Sequence, residues 1–124
     1  GNDVAIFVMG FVANRALAAA EQLKSEGIHA TVVDVHTVKP LDVGAITAVL
    51  QKTGAAVTVE DHNIIGGLGS AIAEVSVEEM PSHIARIGLR DVFPESGLPE
   101  PLLDKYQIGI QDIVAAAKKV ISKK

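Results

Sequence analysis

Apolar residues in this chain come in short continuous runs, separated by stretches with helical spacing. Val4–Met9 (VAIFVM) is apolar throughout, the pattern of a strand buried on both faces. Gly10 breaks it. Over Ala13–Glu26, Ala16, Leu17, Ala20 and Leu23 recur at helical spacing, and Gly27 ends that helix. Ile28–Val35 alternates and then runs apolar, which predicts a second strand. Thr37–Leu41 (TVKPL) reads as a turn into a helix over Asp42–Thr53, with Asp42 suited to the N-cap. Ala55–Val59 is the third strand, and Leu68–Glu79 a helix stopped by Pro81. His83–Leu89 is the fourth strand and Arg90–Gly97 a loop. Pro99–Lys105 is a short helix opened by Pro99. Asp112–Ser122 closes the chain as an amphipathic helix, with Ile113, Val114, Ala117, Val120 and Ile121 on one side and lysines near its C-terminal end.

Helices between successive strands require parallel pairing through right-handed crossovers. The expected fold class is α/β, a three-layer α/β/α sandwich around a mainly parallel sheet. For four strands of this kind the order 2-1-3-4 is expected. At 124 residues the chain makes one domain, spanning 1–124. It is 48% hydrophobic but only 3% aromatic, so its core must be built from Val, Ile, Leu and Ala, which suits buried parallel strands. A net charge of -4 without a basic run argues against nucleic acid as a partner. Cysteine is absent, which removes disulfides, thiolate metal sites and a Cys nucleophile. The longest apolar run, Val4–Ala13, is too short to span a membrane, and no basic segment precedes it. The expectation is a cytoplasmic protein without a membrane partner. The chain begins Gly-Asn-Asp, without Met, and enters a buried-looking strand at Val4, so it reads as a domain cut from a longer polypeptide.

In open parallel sheets, ligands bind beyond the carboxyl ends of the strands, where strand order reverses. Here that point lies between strands one and three. It collects Gly10, Phe11 and Asn14 with Glu60, Asp61, His62 and Asn63, and Ile64–Ser70 hangs over the same edge. The nucleotide fingerprints fail at this turn. Ile72 stands where a dinucleotide loop needs its third Gly, and no Lys follows the glycines. Leu68 and Ile72 flank Ser70 where a nucleophile elbow needs Gly. Strand one ends Met9-Gly10-Phe11, without the acidic cluster of a response-regulator receiver. His29, His36, His62 and His83 are dispersed, with no two at metal-ligand spacing on a helix. Asp34 and His36 share a face of the second strand's end and suit a pair, a turn or an interface. The acids Glu78, Glu79, Glu95 and Glu100 read as solvated.

Two readings of the Gly turn stay open. Gly66, Gly67 and Gly69 allow a tight strand-to-helix connection with close packing. Alternatively, the helix N-terminus at Leu68, with Asn14, seats a small anion. Glu60 and Asp61 argue against that seat by repulsion. His62 either touches a ligand or partner subunit, or caps the loop.

The segment VTVEDHNIIGGLGSAIAE, followed by IGLRDVFPESGLPEPLLDKYQI and the IVAAAKKVI helix, resembles the C-terminal domain of transketolase and its thiamine-diphosphate relatives. The upstream VVDVHTVKPLD is similar to the same domain's second strand and following turn. The resemblance covers nearly the whole chain, and it extends to 1-deoxyxylulose-5-phosphate synthase and the β subunits of 2-oxo acid dehydrogenases. It implies a parent enzyme that transfers a two-carbon ketol unit between sugar phosphates, in pentose phosphate metabolism, using thiamine diphosphate and Mg²⁺. The family's cofactor sits between its two other domains at a dimer interface. The diphosphate–metal motif, Gly-Asp-Gly followed by a paired Asn, is missing here. So is a candidate for the Glu that activates the cofactor's aminopyrimidine ring. The resemblance therefore implies no catalytic, cofactor-binding or metal residue in this chain. It also implies that an antiparallel edge strand precedes VAIFVM in the parent. Glu60, Asp61, His62, Gly66, Gly67, Gly69 and Ser70 would face the remaining domains or subunit of a homodimeric assembly. Gln107 departs from the pattern, since relatives often carry Gly there. Two rival readings follow: a stand-alone module binding a small anion or nucleotide at Gly66–Ser70, and the same domain of a 1-deoxyxylulose-5-phosphate synthase.

Overall fold

The sheet orders its strands β2-β1-β3-β4, all parallel, from β1 (Val4–Met9), β2 (Ala30–Asp34), β3 (Ala55–Asn63) and β4 (His83–Leu89). Between and after them run α1 (Ala13–Ser25), α2 (Val43–Thr53), α3 (Leu68–Glu79) and α4 (Ile110–Ser122). This computed structural model describes residues 1–36, 38, 40–63, 67–89, 105 and 107–124; at His62, Asn63 and Leu89 it describes the backbone. The expected Arg90–Gly97 loop and nearly all of the Pro99–Lys105 helix lie outside the described residues. So do Thr37, Lys39 and Gly66.

Two apolar layers sandwich the sheet, as the continuous runs require. On one face Val4, Ile6, Val8, Val57 and Val59 meet Ala16, Ala19 and Leu23 of α1 and Ile113, Ala117 and Val120 of α4. On the other face Ala5, Phe7 and Ala56 meet Ile46 and Leu50 of α2 and Leu68 and Ile72 of α3. Strand alternation sends odd and even positions of β1 to opposite layers, so Val4 through Phe7 are all fully buried. Burying each large aliphatic side chain contributes about 1.5–3 kcal/mol.

Boundaries differ from the sequence reading where polar chemistry overrides the apolar pattern. The apolar run ends at Val59, yet β3 continues through Glu60, Asp61, His62 and Asn63. Glu60 stands opposite Met9 of β1, and Asn63 opposite Leu89 of β4, with a register shift between Val59 and Asn63. These four residues therefore belong to the strand rather than to the loop leaving it. β2 starts two residues later than expected, because the amides of Gly27 and Ile28 close α1 instead, on Lys24 O and Leu23 O. Gly27 has φ +81, the left-handed conformation that a helix exit favours. Asp42 caps α2 as expected, accepting from Ala45 N at 3.0 Å. α4 begins two residues before Asp112, and the Asp112 carboxylate reaches back to accept from Gly109 N at 2.9 Å.

α4 packs beside α1 on one face. Gln22 and Gln111 exchange amide hydrogen bonds of 3.1 and 2.7 Å across this contact. Lys118 Nζ donates to Glu26, which holds that carboxyl below its ordinary value. A lowered carboxyl favours the folded state above its unfolded pKa, and the benefit is lost as pH falls through the folded value. Both groups are exposed, so the pair adds little.

Gln107, just before α4, has φ 63. An L side chain in that left-handed region costs roughly 1–2 kcal/mol, which glycine avoids at the expense of greater freedom in the unfolded chain. Gln107→Gly is expected to stabilise the domain by about 0.5–1 kcal/mol in urea melts. A net loss of stability would show that the Gln107 side chain contributes more than its backbone strain costs.

Candidate functional site

The carboxyl edge of β3 carries the acids, and strand alternation puts the Glu60 side chain on the same face as Ala56 and Thr58, toward α3. Gly67, the α3 N-cap, has no side chain to satisfy the first helical amides. Glu60 performs that task from the neighbouring strand. One carboxylate oxygen accepts from Leu68 N at 2.9 Å and the other from Gly69 N at 2.8 Å. Glu60 is only 2% exposed, so these are charge-assisted bonds in a water-poor setting, aligned with the positive end of the helix. The cap is also the link that fixes the start of α3 on the end of β3.

Gly69 lies against the sheet. A Cβ there would stand 3.0 Å from Thr58 Oγ1 and from Arg86 Cδ, and 3.1 Å from Arg86 Cγ. Neither Gly67 nor Gly69 has a positive φ, so of the two reasons for glycine at this turn, close packing is the one that applies to Gly69. Gly10 is different. Its φ is +90, and a Cβ there would meet Asp61 Oδ1 at 2.8 Å. Asp61, 1% exposed, thus sits against the end of β1, at the point where strand order reverses.

The structure brings Glu60, Asp61, Gly67, Gly69 and Gly10 to one edge of the sheet, where Glu60, Asp61 and Gly69 are buried, Gly67 is half-buried and Gly10 is exposed. Ser70, in the first turn of α3, is half-buried and lines a surface groove with Gly67. Phe11 is 80% exposed, and Asn14 is exposed, its side chain making no hydrogen bond among the described residues. The His62 backbone lies in β3, while its side chain and Gly66 fall outside the described residues. A small anion at this turn would meet a carboxylate already seated on both helix amides. Thiamine diphosphate fits no better. The one helix N-terminus at this edge that faces the glycines is taken by Glu60, and no cluster of three His, Asp or Glu among the described residues could hold its metal. The capping role of Glu60 is the feature that pattern reading missed. Its signal was an acid at a strand end, eight residues before a helix lacking any Ser, Thr, Asp or Asn cap. No described helix is long and apolar enough to cross a membrane.

The family described as Transketolase, C-terminal domain, matches residues 1–113. A 6-deoxy-6-sulfo-D-fructose transketolase subunit from Clostridium sp. (strain MSTE9) is 46% identical over 124 residues, which are 100% of this chain and 38% of the relative. A 1-deoxy-D-xylulose-5-phosphate synthase from Syntrophotalea carbinolica is 38% identical over 119 residues, 95% of this chain and 19% of the relative. A solved structure described as a split gene transketolase, inactive beta4 tetramer, superposes with a TM-score of 0.90 at 46% identity, over 98% of this chain and 40% of that one. The chain thus spans two-fifths or less of the length of these relatives.

Proposed function

Because the chain belongs to the transketolase C-terminal domain family, we propose that it is the structural and assembly domain of a transketolase-type enzyme and does not itself catalyse. The parent transfers a two-carbon ketol unit between sugar phosphates, with thiamine diphosphate and Mg²⁺ held by its other domains or subunit. The proposal extends to a longer parent polypeptide or a split pair of subunits, to a cytoplasmic homodimeric core, and to pentose phosphate metabolism. Glu60, Asp61, His62, Gly66, Gly67, Gly69 and Ser70 form the edge that meets the neighbouring domain or subunit.

The observation that carries this reading is the commitment of Glu60 to α3. That carboxylate, at the ligand edge of the sheet, is committed to holding the fold together. The description of the similar solved structure as an inactive tetramer of a split-gene enzyme supports a subunit that associates without turning over alone. The relatives named as 1-deoxy-D-xylulose-5-phosphate synthases favour a second reading of the parent's reaction within the same family.

The test uses calorimetry with thiamine diphosphate and Mg²⁺, and a coupled assay with sugar phosphates, on the chain alone and on the complete protein. Binding and turnover are expected in the complete protein only. Micromolar cofactor binding or turnover by the isolated chain would sink the proposal. Replacing the sugar-phosphate donor with pyruvate separates the two reactions.

A further inference from the structure

The groove that Gly67 and Ser70 line runs on along α3 and holds about 390 Å³. Val38 and Leu41, from the segment before α2, and Val43, in the first turn of α2, make one wall. Val75 of α3 closes its apolar side, and Glu74 and Glu78 line it as well. These two acids are four apart in the helix, so they project from one face, one turn apart. Both are exposed, and neither makes a hydrogen bond or ion pair among the described residues. Val43 is exposed too. The groove therefore sets an apolar wall against a pair of carboxylates on the same helix face.

Within the domain these acids do nothing for α3. Like charges at this spacing repel. Glu78 also stands in the last turn, at the negative end of the helix, and that turn has no basic residue. α1, α2 and α4 each place a lysine there instead, Lys24, Lys52 and Lys119. A cation brought from outside offsets both costs. The groove narrows the occupant further. An anion meets two carboxylates of a chain whose net charge is already -4. A neutral apolar segment covers the wall but strips water from the acids without compensation. A metal ion lacks a third ligand, since no cluster of three His, Asp or Glu stands among the described residues. An apolar segment that carries Lys or Arg satisfies both sides, its stem against the valines and its head at the acids.

Resting on the assembly reading above, we propose that this groove receives an apolar segment of the partner subunit whose lysine or arginine pairs with Glu74 and Glu78. The groove starts at Gly67 and Ser70, so the contact continues the edge already assigned to assembly. It gives the association a salt-dependent component that the buried Glu60 cannot supply.

The experiment measures association of the complete protein by sedimentation across a dilution series, at two salt concentrations. Gln is nearly as good a helix former as Glu, so Glu74→Gln combined with Glu78→Gln removes the charge and keeps α3. This double variant is expected to weaken association about tenfold or more at low salt and to flatten its salt dependence. It is expected to melt close to wild type. A second measurement does not depend on that variant. The photo-cross-linker p-benzoylphenylalanine, placed at the exposed Val43, is expected to couple to the partner subunit outside this domain, in a segment containing Lys or Arg. Unchanged association in the double variant, or a missing cross-link, overturns the proposal and leaves the assembly reading standing. A cross-link to residues 1–124 of a second copy, or to a segment without a basic residue, overturns the occupant assigned to the groove. A wild-type protein that stays monomeric at every concentration overturns both the proposal and the assembly reading.

Discussion

Glu60→Ala is expected to destabilise the domain by about 2–4 kcal/mol, because it strands two buried amides at once. Leu68 N and Gly69 N have their bonds to this carboxylate at 2.9 and 2.8 Å, and Gly67 offers no side chain in its place. Leaving a buried donor unsatisfied costs about 1–3 kcal/mol, and hydrogen bonds to charged groups are worth about 1.5–3. The helix dipole adds a further fraction. Some relaxation of the first turn of α3 toward water recovers part of the sum. Glu60→Gln keeps one acceptor oxygen but turns an NH₂ toward the second amide, so roughly half the loss is expected. Urea melts of the three proteins measure the series. A loss below about 1 kcal/mol for Glu60→Ala would mean that the start of α3 is held by its packing alone. On the assembly proposal, the same change in the complete protein is expected to weaken subunit association or raise the cofactor requirement, because ligand and partner binding to one folded state are linked. On the same proposal, single-turnover chemistry at saturating cofactor is expected to stay near wild type, because it assigns Glu60 no reacting role. A large fall in the chemical step with assembly intact would place Glu60 in an active site.

Ile6→Ala is expected to cost about 2–5 kcal/mol through a cavity at the centre of the sheet. Ile6 is fully buried, stands opposite Val32 of β2 and Val57 of β3, and packs into the layer of α1 and α4. With strands on both sides and helices above, the site has little room to collapse, which argues for the upper half of that range. Domains of this size are stable by about 5–15 kcal/mol in total, so the variant is expected to unfold at far lower denaturant while remaining cooperative. A change under about 1 kcal/mol would mean that β1 is not the centre of the fold.

Periodicity made the sheet legible. Val4–Met9 and His83–Leu89 read as strands, and Leu68–Glu79 as a helix, with the boundaries the structure has. Helices between strands imply the parallel pairing, and the order β2-β1-β3-β4 is the common one expected for four such strands. β3 was read short because hydrophobicity cannot see a strand whose next residues are acids, when the burial of those acids is made possible by hydrogen bonds from another element. The candidate site was legible as a place but less so as a mechanism. Glu60, Asp61 and the glycines were singled out as neighbours of the strand reversal. The pairing of Glu60 with the amides of Leu68 and Gly69 depends on a distance in space that spacing along the chain does not encode. Gly10 was seen as a strand breaker, whereas its contact with Asp61 is set by β3, some fifty residues later. Gln107 was flagged through its departure from the family pattern, and its positive φ supplies the physical reason.

The grip of Glu60 on α3 also bears on what the turn can recognise. A carboxylate fixed on a strand beside two helix amides is an intramolecular ligand. Its effective concentration at those amides is set by the backbone rather than by the cell, and it loses almost no translational freedom on binding. A metabolite anion must displace it, expose the buried acid, and pay its own immobilisation. The fold thus keeps the helix N-terminus from which related architectures recruit phosphates, with the recruiting function filled permanently from within.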